Sequence, residues 1–410
     1  MKENNNGFWK GLIGGVVLTA VAAAALFFLT DLPERYRANP AVLTQEEADA
    51  LVEKFDQLKL RVDTLYLEDI TPEKHQEMLE AAYAAYVDAL GDKYTVYFTK
   101  EEYEEYTQEL SGSYSGIGVT VQLDAEEELA RVIAVNQKGP SAGSGMEKGD
   151  LIVAVDGTDV KGFSLDEVVA LVKGEEGSSV TLRLRRPETG EEFEITVVRR
   201  HIELETVTFE DLGNGIGYIY ILEFDEITDD QFAEALLQVK KLNLRGLILD
   251  VRQNPGGYLD VVTNMADRLL PRGIITYTQD KYGKREVFES DAACLKIPMV
   301  LLCDGDSASA AELFTGALKD YGVADVIGTT TFGKGIVQRS TLLPDGSAMK
   351  VTVSRYYTPN GVCIHQTGIT PDYPVELPEG VYFSTELPHD EDPQFQKALE
   401  VLEAKLEGAK

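Results

Sequence analysis

Histidine and cysteine are scarce in this chain, four and three among 410 residues. The cysteines, Cys294, Cys303 and Cys363, are too few and too scattered for a disulfide framework or a C-x-x-C metal site, and read as small buried hydrophobes. With four histidines and no H-E-x-x-H, a zinc hydrolase is excluded. Basic residues are short as well: 38 against 70 acidic ones leave a formal charge of −32, and no long basic patch offsets it. Such a chain repels a phosphate backbone, so no nucleic-acid partner is expected. Neither repeats nor biased tracts occur, and 44% hydrophobic with 26% charged residues describes an ordinary globular protein. At ~150 residues per domain the length suggests about three domains.

One long apolar run is present. Residues 11–29 carry no charge, with Lys2 and Lys10 before them. As a helix rising 1.5 Å per residue they span roughly 28 Å, close to the ~30 Å of a bilayer core. Small residues at 20–25 offer a cleavage site, but Leu26-Phe27-Phe28-Leu29 carries the apolar run past them. A retained single-pass anchor is therefore expected, with the lysines inside and the remaining chain on the extracytoplasmic side; cleavage would make the protein secreted.

Five regions follow from the pattern: anchor and linker (1–40), a helical region (41–111), a β-rich segment (112–200), an alternating α/β core (201–385) and a last helix (386–410). In the helical region Thr71, Pro72 and Gly91 bound a helix over 72–90 whose Leu79, Ala82, Tyr83, Tyr86, Val87 and Leu90 predict one buried stripe. In 112–200, five short β runs surround one amphipathic helix at 164–173. From 201, strands at 217–221, 246–251 and 299–303 alternate with helices at 229–241, 260–270 and 308–321, which predicts helices on a largely parallel sheet.

The β-rich segment resembles a PDZ domain. The likeness rests on Ser115-Gly116-Ile117-Gly118-Val119, on Gly139-Pro140-Ser141-Ala142 and on Gly149-Asp150-Leu151-Ile152. Glycines there let consecutive backbone N–H groups converge on a terminal carboxylate, and the strand that follows can pair with an extended peptide.

In the α/β core three loops follow strand carboxyl ends, where ligands gather in open sheets: 250–257, 304–312 and 331–338. They bring a serine at a helix start (Ser309), a lysine between glycines (Lys334) and a Pro-Gly-Gly turn. A serine hydroxyl needs a base beside it, and a lysine serves only when burial or cationic neighbours keep it neutral. Helix-start N–H groups and the Gly257 amide can stabilise an oxyanion. Ser309-x-x-Glu312 is equally a capping box, and Lys334 alone could be a solvated loop residue.

Taken in order, L-I-L-D-V-R-Q-N-P-G-G, S-A-S-A-A-E and F-G-K-G-I-V-Q behind a PDZ-like segment resemble the carboxyl-terminal processing peptidases, or tail-specific proteases, which are Ser/Lys enzymes. The likeness covers about residues 41–405. It implies Ser309 as nucleophile, Lys334 as general base 25 residues later, Gln338 holding the lysine, and Gly257 with the Ala310 amide as oxyanion site. It implies a crotonase-like spiral of β-β-α units for the core. It also implies that Gly116, Ile117, Gly118 and Val119 bind a substrate's carboxyl terminus and that the PDZ domain governs access, in a homodimer to which the helical region and the last helix contribute. Three positions depart from the family pattern. Asp306 stands where glycine is common. Lys93 stands where proline is usual, in a segment read as touching the helical region and not catalysis. Lys173 replaces a common arginine.

Rival patterns are weaker. Gly139-x-Ser141-x-Gly143 mimics a nucleophile elbow but lies in the PDZ-like segment. His365 beside apolar residues reads as structural. The stretch 328–335 misses a Walker A loop because Gly335 stands where Ser or Thr must ligate magnesium. A catalytically inert, membrane-tethered PDZ scaffold would not need Ser309, Lys334 and Gln338 together. The expectation is a membrane-anchored serine endopeptidase acting on unstructured carboxyl-terminal tails, with no metal or other cofactor.

Overall fold

The computed structural model describes residues 44–291, 293–385 and 387–408. The apolar run at 11–29 lies outside them, and no helix among the described residues is long and apolar enough to cross a membrane.

The chain starts with helices α1 (Gln45–Leu65) and α2 (Pro72–Asp88), then strand β1 (Val96–Phe98) and helix α3 (Lys100–Leu110). Thr44 with Glu47 and Thr99 with Glu102 form capping boxes that start α1 and α3. The buried stripe expected on α2 is not there: only Val87 is buried, while Tyr86 and Leu90 are exposed. On α1 nothing is buried, and Leu51, Val52, Phe55 and Leu58 face solvent at helical spacing. Periodicity identifies the apolar side of a helix, not what covers it.

Strands β2 (Ser113–Gly116), β3 (Val119–Asp124), β4 (Leu129–Val135), β5 (Leu151–Val155) and β6 (Thr158–Asp159) precede helix α4 (Leu165–Val172). Strands β7 (Ser179–Arg186), β8 (Glu191–Val198) and β9 (Arg200–Glu203) follow. An antiparallel sheet ordered β3-β4-β5-β7-β8 closes over Val132, Leu151, Leu182 and Leu184, with Val168 and Val172 of α4 in the same core. β3 is an edge strand. β2 and β9 pair only with each other, so the chain enters and leaves this domain along one two-stranded ribbon.

The core continues with β10 (Val207–Gly213), β11 (Ile216–Ile221), α5 (Thr228–Lys241), β12 (Gly246–Asp250), α6 (Leu259–Asp267), β13 (Gly273–Asp280) and β14 (Arg285–Ser290). It ends with β15 (Met299–Cys303), α7 (Ala310–Asp320), β16 (Ala324–Gly328), β17 (Ile336–Leu342), β18 (Ala348–Tyr357), β19 (Tyr373–Pro374) and α8 (Pro393–Gly408). The main sheet runs β10-β11-β12-β15-β16-β19 and is parallel apart from β10. Helices α5, α6 and α7 share one core with its first face. On the other, Phe395, Ala398 and Leu402 of α8 pack with Tyr218, Tyr220, Ile248 and Val300. Burial on both faces explains the unbroken apolar runs of these strands. It also corrects the expected use of the last helix, whose apolar face is taken up inside its own chain. A second sheet, β1-β18-β13-β14 with β17 on β18, was not foreseen. Of the cysteines, all free, only Cys303 is buried, and burial pushes its thiol up; Cys294 and Cys363 are half-exposed.

Arg252 locks the loop after β12 to the start of α8. It is 1% exposed and donates to Asp250 at 2.6 Å, to Asp392 at 2.7 Å and to Gln394 at 3.0 Å, with its guanidinium 3.8 Å from the centroid of the Phe383 ring. Burial disfavours its charge, but the two carboxylates outweigh it and raise its pKa further. Arg252→Met should cost about 3–5 kcal/mol, because Asp250 and Asp392 are left buried without a counter-charge. Urea unfolding followed by circular dichroism checks this; a midpoint unchanged from the parent protein contradicts it.

Candidate active site

Because β12, β15 and β16 are neighbours and parallel, the loops leaving their carboxyl ends converge. In the first loop Asn254 ties the parts together. Its side chain donates to the Ile221 carbonyl and accepts the Gly256 N–H, each at 2.9 Å, and its carbonyl accepts the Ala308 N–H at 2.9 Å. The turn then lies on Ser309: a Cβ at Gly256 (φ 111°) would sit 2.7 Å from the serine Cβ and 3.0 Å from the Ala310 nitrogen. At Gly257 (φ 142°) it would meet the Phe224 carbonyl oxygen at 2.3 Å. Gly256, not singled out from the sequence, is thus the closer of the two glycines to the serine.

The two serines of the second loop differ in kind. Ser307 is fully buried, and its hydroxyl donates to the Val251 carbonyl at 2.7 Å and accepts the Asp304 N–H at 2.9 Å. Ser309 is only part-buried and caps α7 with φ 55° and ψ −114°. A non-glycine residue held in such a conformation costs about 1–3 kcal/mol and persists only where its surroundings enforce it. Here they do. Glu312 accepts the Ser309 N–H at 2.9 Å, and Tyr356 donates to the Ser309 carbonyl at 2.7 Å.

Both residues also hold the third loop. The fully buried Glu312 carboxylate accepts the Thr331 hydroxyl at 2.6 Å, the Gly333 N–H at 2.7 Å and the Lys334 N–H at 2.7 Å. The Tyr356 hydroxyl lies 2.9 Å from the Lys334 carbonyl, and burial pushes its pKa far up, so it remains a donor. The capping box read from the sequence is therefore half of a larger brace.

Lys334 is half-buried, with Nζ 4.9 Å from the centroid of the Tyr94 ring. Burial foremost, then the Lys350 ammonium and finally Lys93, hold its pKa below the usual lysine range against the pull of Glu312. Gln338, on β17, donates to the Thr352 hydroxyl at 3.3 Å. Among the described residues no hydrogen bond links Lys334 Nζ to Ser309 or to Gln338. Lys93 does reach the site, contrary to expectation: its ammonium is 4.9 Å from the Tyr94 centroid and 5.4 Å from that of Phe332, because the segment before β1 lies over the Lys334 loop.

The rival patterns resolve plainly. Ser141 is fully buried with an unpartnered hydroxyl. His365 lies beside the Lys334 loop through its backbone, close enough that a Cβ at Gly335 would meet its nitrogen at 2.5 Å. The stretch at 328–335 runs into a strand, not a helix. In the PDZ-like loop Ile117 is buried and its carbonyl accepts the Ser141 N–H at 3.0 Å. Gly118 (φ 73°) lies against the Gly139 backbone, and its carbonyl accepts the Asn136 N–H at 2.9 Å. Gly116 ends β2, and Val119 opens the edge strand β3.

Residues 215–375 match the model of peptidase family S41, and residues 131–186 that of a PDZ domain. Carboxy-terminal processing protease CtpB of Bacillus subtilis (strain 168) is 32% identical over 359 residues, 86% of this chain and 73% of that one. CtpA of the same organism is 33% identical over 368 residues, 89% and 77% of the two chains. The structure of the photosystem II D1 C-terminal processing protease aligns at 31% identity and a TM-score of 0.47, over 78% of this chain and 88% of that one. The chain is a serine-type peptidase with a PDZ domain, and it belongs to the carboxy-terminal processing proteases of peptidase family S41.

Proposed function

We propose that Ser309 is the nucleophile and Lys334 the general base of an endopeptidase that cuts proteins at or near their carboxyl-terminal tails. What carries this reading is the brace of Glu312 and Tyr356, which fixes the serine and lysine loops to each other. A neutral Lys334 takes the Ser309 proton as the hydroxyl oxygen attacks the scissile carbonyl. The N–H groups of Gly257 and Ala310 hold the oxyanion that forms. Collapse expels the amine, which takes the proton from the lysine, and water then cleaves the ester with Lys334 again as base. Substrate binding frees Gln338 from Thr352 to hold the lysine, since catalytic hydrogen bonds commonly tighten only in the complex.

The substrate tail adds to edge strand β3 beside α4, with its carboxylate at Gly116, Ile117, Gly118 and Val119. The β2/β9 ribbon passes that event to the core and governs access. The run at 11–29 anchors the protein, leaving the enzyme on the extracytoplasmic side. Two copies pair through the exposed apolar face of α1. The core belongs to the crotonase-like class, a reading supported by its strand–helix alternation.

Five outcomes check these assignments by mass spectrometry of a cleaved tail-bearing protein. Ser309→Ala should lower turnover by on the order of 10⁴-fold or more with the circular dichroism spectrum kept. Lys334→Met should match it, and Lys334→Arg should not restore activity, since a guanidinium does not give up its proton. Activity should fall as pH drops through the depressed lysine pKa, whose neutral form is the working one. Glu312→Gln should lower kcat by about 10²-fold with little change in KM, because one carboxylate oxygen accepts Ser309 and Lys334 and the other Thr331 and Gly333, and an amide nitrogen in either place cannot accept. Amidating the substrate's terminus should raise KM about tenfold or more; equal cleavage of free and amidated tails refutes the PDZ assignment.

A further inference from the structure

The base is housed by three elements, one of which comes from far upstream. Lys334 comes from the loop after β16 and Lys350 from β18, and the third wall is the segment 91–95. Asp92 shapes that segment: its carboxylate accepts the Tyr94 N–H at 3.1 Å and the Thr95 hydroxyl at 2.7 Å. Thr95 is buried and accepts the Thr352 N–H at 3.1 Å, and β1 then pairs with β18 with Val96 opposite Lys350. Tyr94 is thereby fixed with two ammonium groups, those of Lys334 and Lys93, each 4.9 Å from its ring centroid.

We propose that Lys93 is a positioning residue for the base, a second cation on the Tyr94 ring that favours the uncharged form of Lys334 and so extends the pH range in which the enzyme works. The inference rests on Lys334 being the general base. Two like charges held at one ring disfavour each other's ionised form, and an aromatic face attracts both without hydrogen-bonding either. The other charged and titratable groups around the lysine have different duties. Glu312 of α7 pulls the opposite way but is committed to four donors. Lys350 pushes in the same direction from β18, its ammonium 4.4 Å from the Tyr106 centroid and 5.2 Å from that of Phe98. Tyr356 is bound between the two loop carbonyls, and Asp92 accepts within its own turn and from Thr352 and faces His365, whose backbone meets the Lys334 loop. Lys93 alone among the cations here is exposed to solvent, so its influence is the one salt can screen.

The test is the pH profile of kcat/KM for a tail-bearing substrate, measured on the full chain at low and at high salt. Lys93→Met, which keeps an apolar stem and loses the charge, should move the acidic limb to higher pH by about half a unit at low ionic strength. Lys93→Glu should move it further in the same direction, and Lys93→Arg should return it to the parent position. In about 1 M salt, where the screening length is only ~3 Å, the Met and parent limbs should draw together. The readout is the position of the limb, which a merely structural contact would not shift in proportion to charge. Limbs that coincide for Lys, Met and Glu at low salt overturn the proposal. Full turnover by Lys334→Met would instead overturn the assignment of the base, so the two failures are distinguishable.

Discussion

One buried carboxylate organises this molecule. Glu312 accepts hydrogen bonds from the backbone of Ser309, from Gly333 and Lys334, and from the Thr331 side chain. A carboxylate taken out of water is costly unless each of its acceptor positions is met, so this one is tolerable only while both loops stay in place. The constraint works in both directions. The loops satisfy the charge, and the charge fixes two segments 25 residues apart in sequence against each other. It also accounts for the positive φ of Ser309, a conformation that a free chain would leave.

The rest of the fold can be read as support for that contact. The parallel order β12-β15-β16 brings the three loop origins side by side, and Arg252 anchors the first loop from below through Asp250 and Asp392. The second sheet supplies what the first cannot: Tyr356, Lys350 and Thr352 all lie on β18, and β1 brings Tyr94 over Lys334. A surface that depresses a lysine's pKa is thus assembled from both sheets and from the segment before β1.

Much of this was legible in the sequence. Apolar runs such as Met299–Cys303 announce a strand buried on both faces, and Ser164 with Glu167 announces the start of α4. Ser309 and Lys334 stood out because glycines and a helix start surround them. The other half of the site carries no local signal. Glu312 looks like an ordinary capping residue, since nothing near it in sequence tells that its second oxygen reaches Gly333. Tyr356 and Lys350 sit on a strand with mixed burial that no alternation reveals. Lys93 was placed away from the chemistry because its neighbours are helical; only the pairing of Val96 with Lys350 folds it back. The stripe of α2 was visible as a stripe, yet its exposure is a tertiary fact.

The most direct measurement is the rate at which a phosphonofluoridate serine reagent labels the protein as a function of pH, with the modified residue mapped by peptide mass. A single adduct on Ser309 is expected, formed with a rate that rises through a titration below the ordinary lysine value of ~10.4 and lost in Lys334→Met. Labelling at another residue, or Ser309 labelling that follows an unshifted lysine or ignores Lys334 altogether, would contradict a braced serine served by a neutral amine.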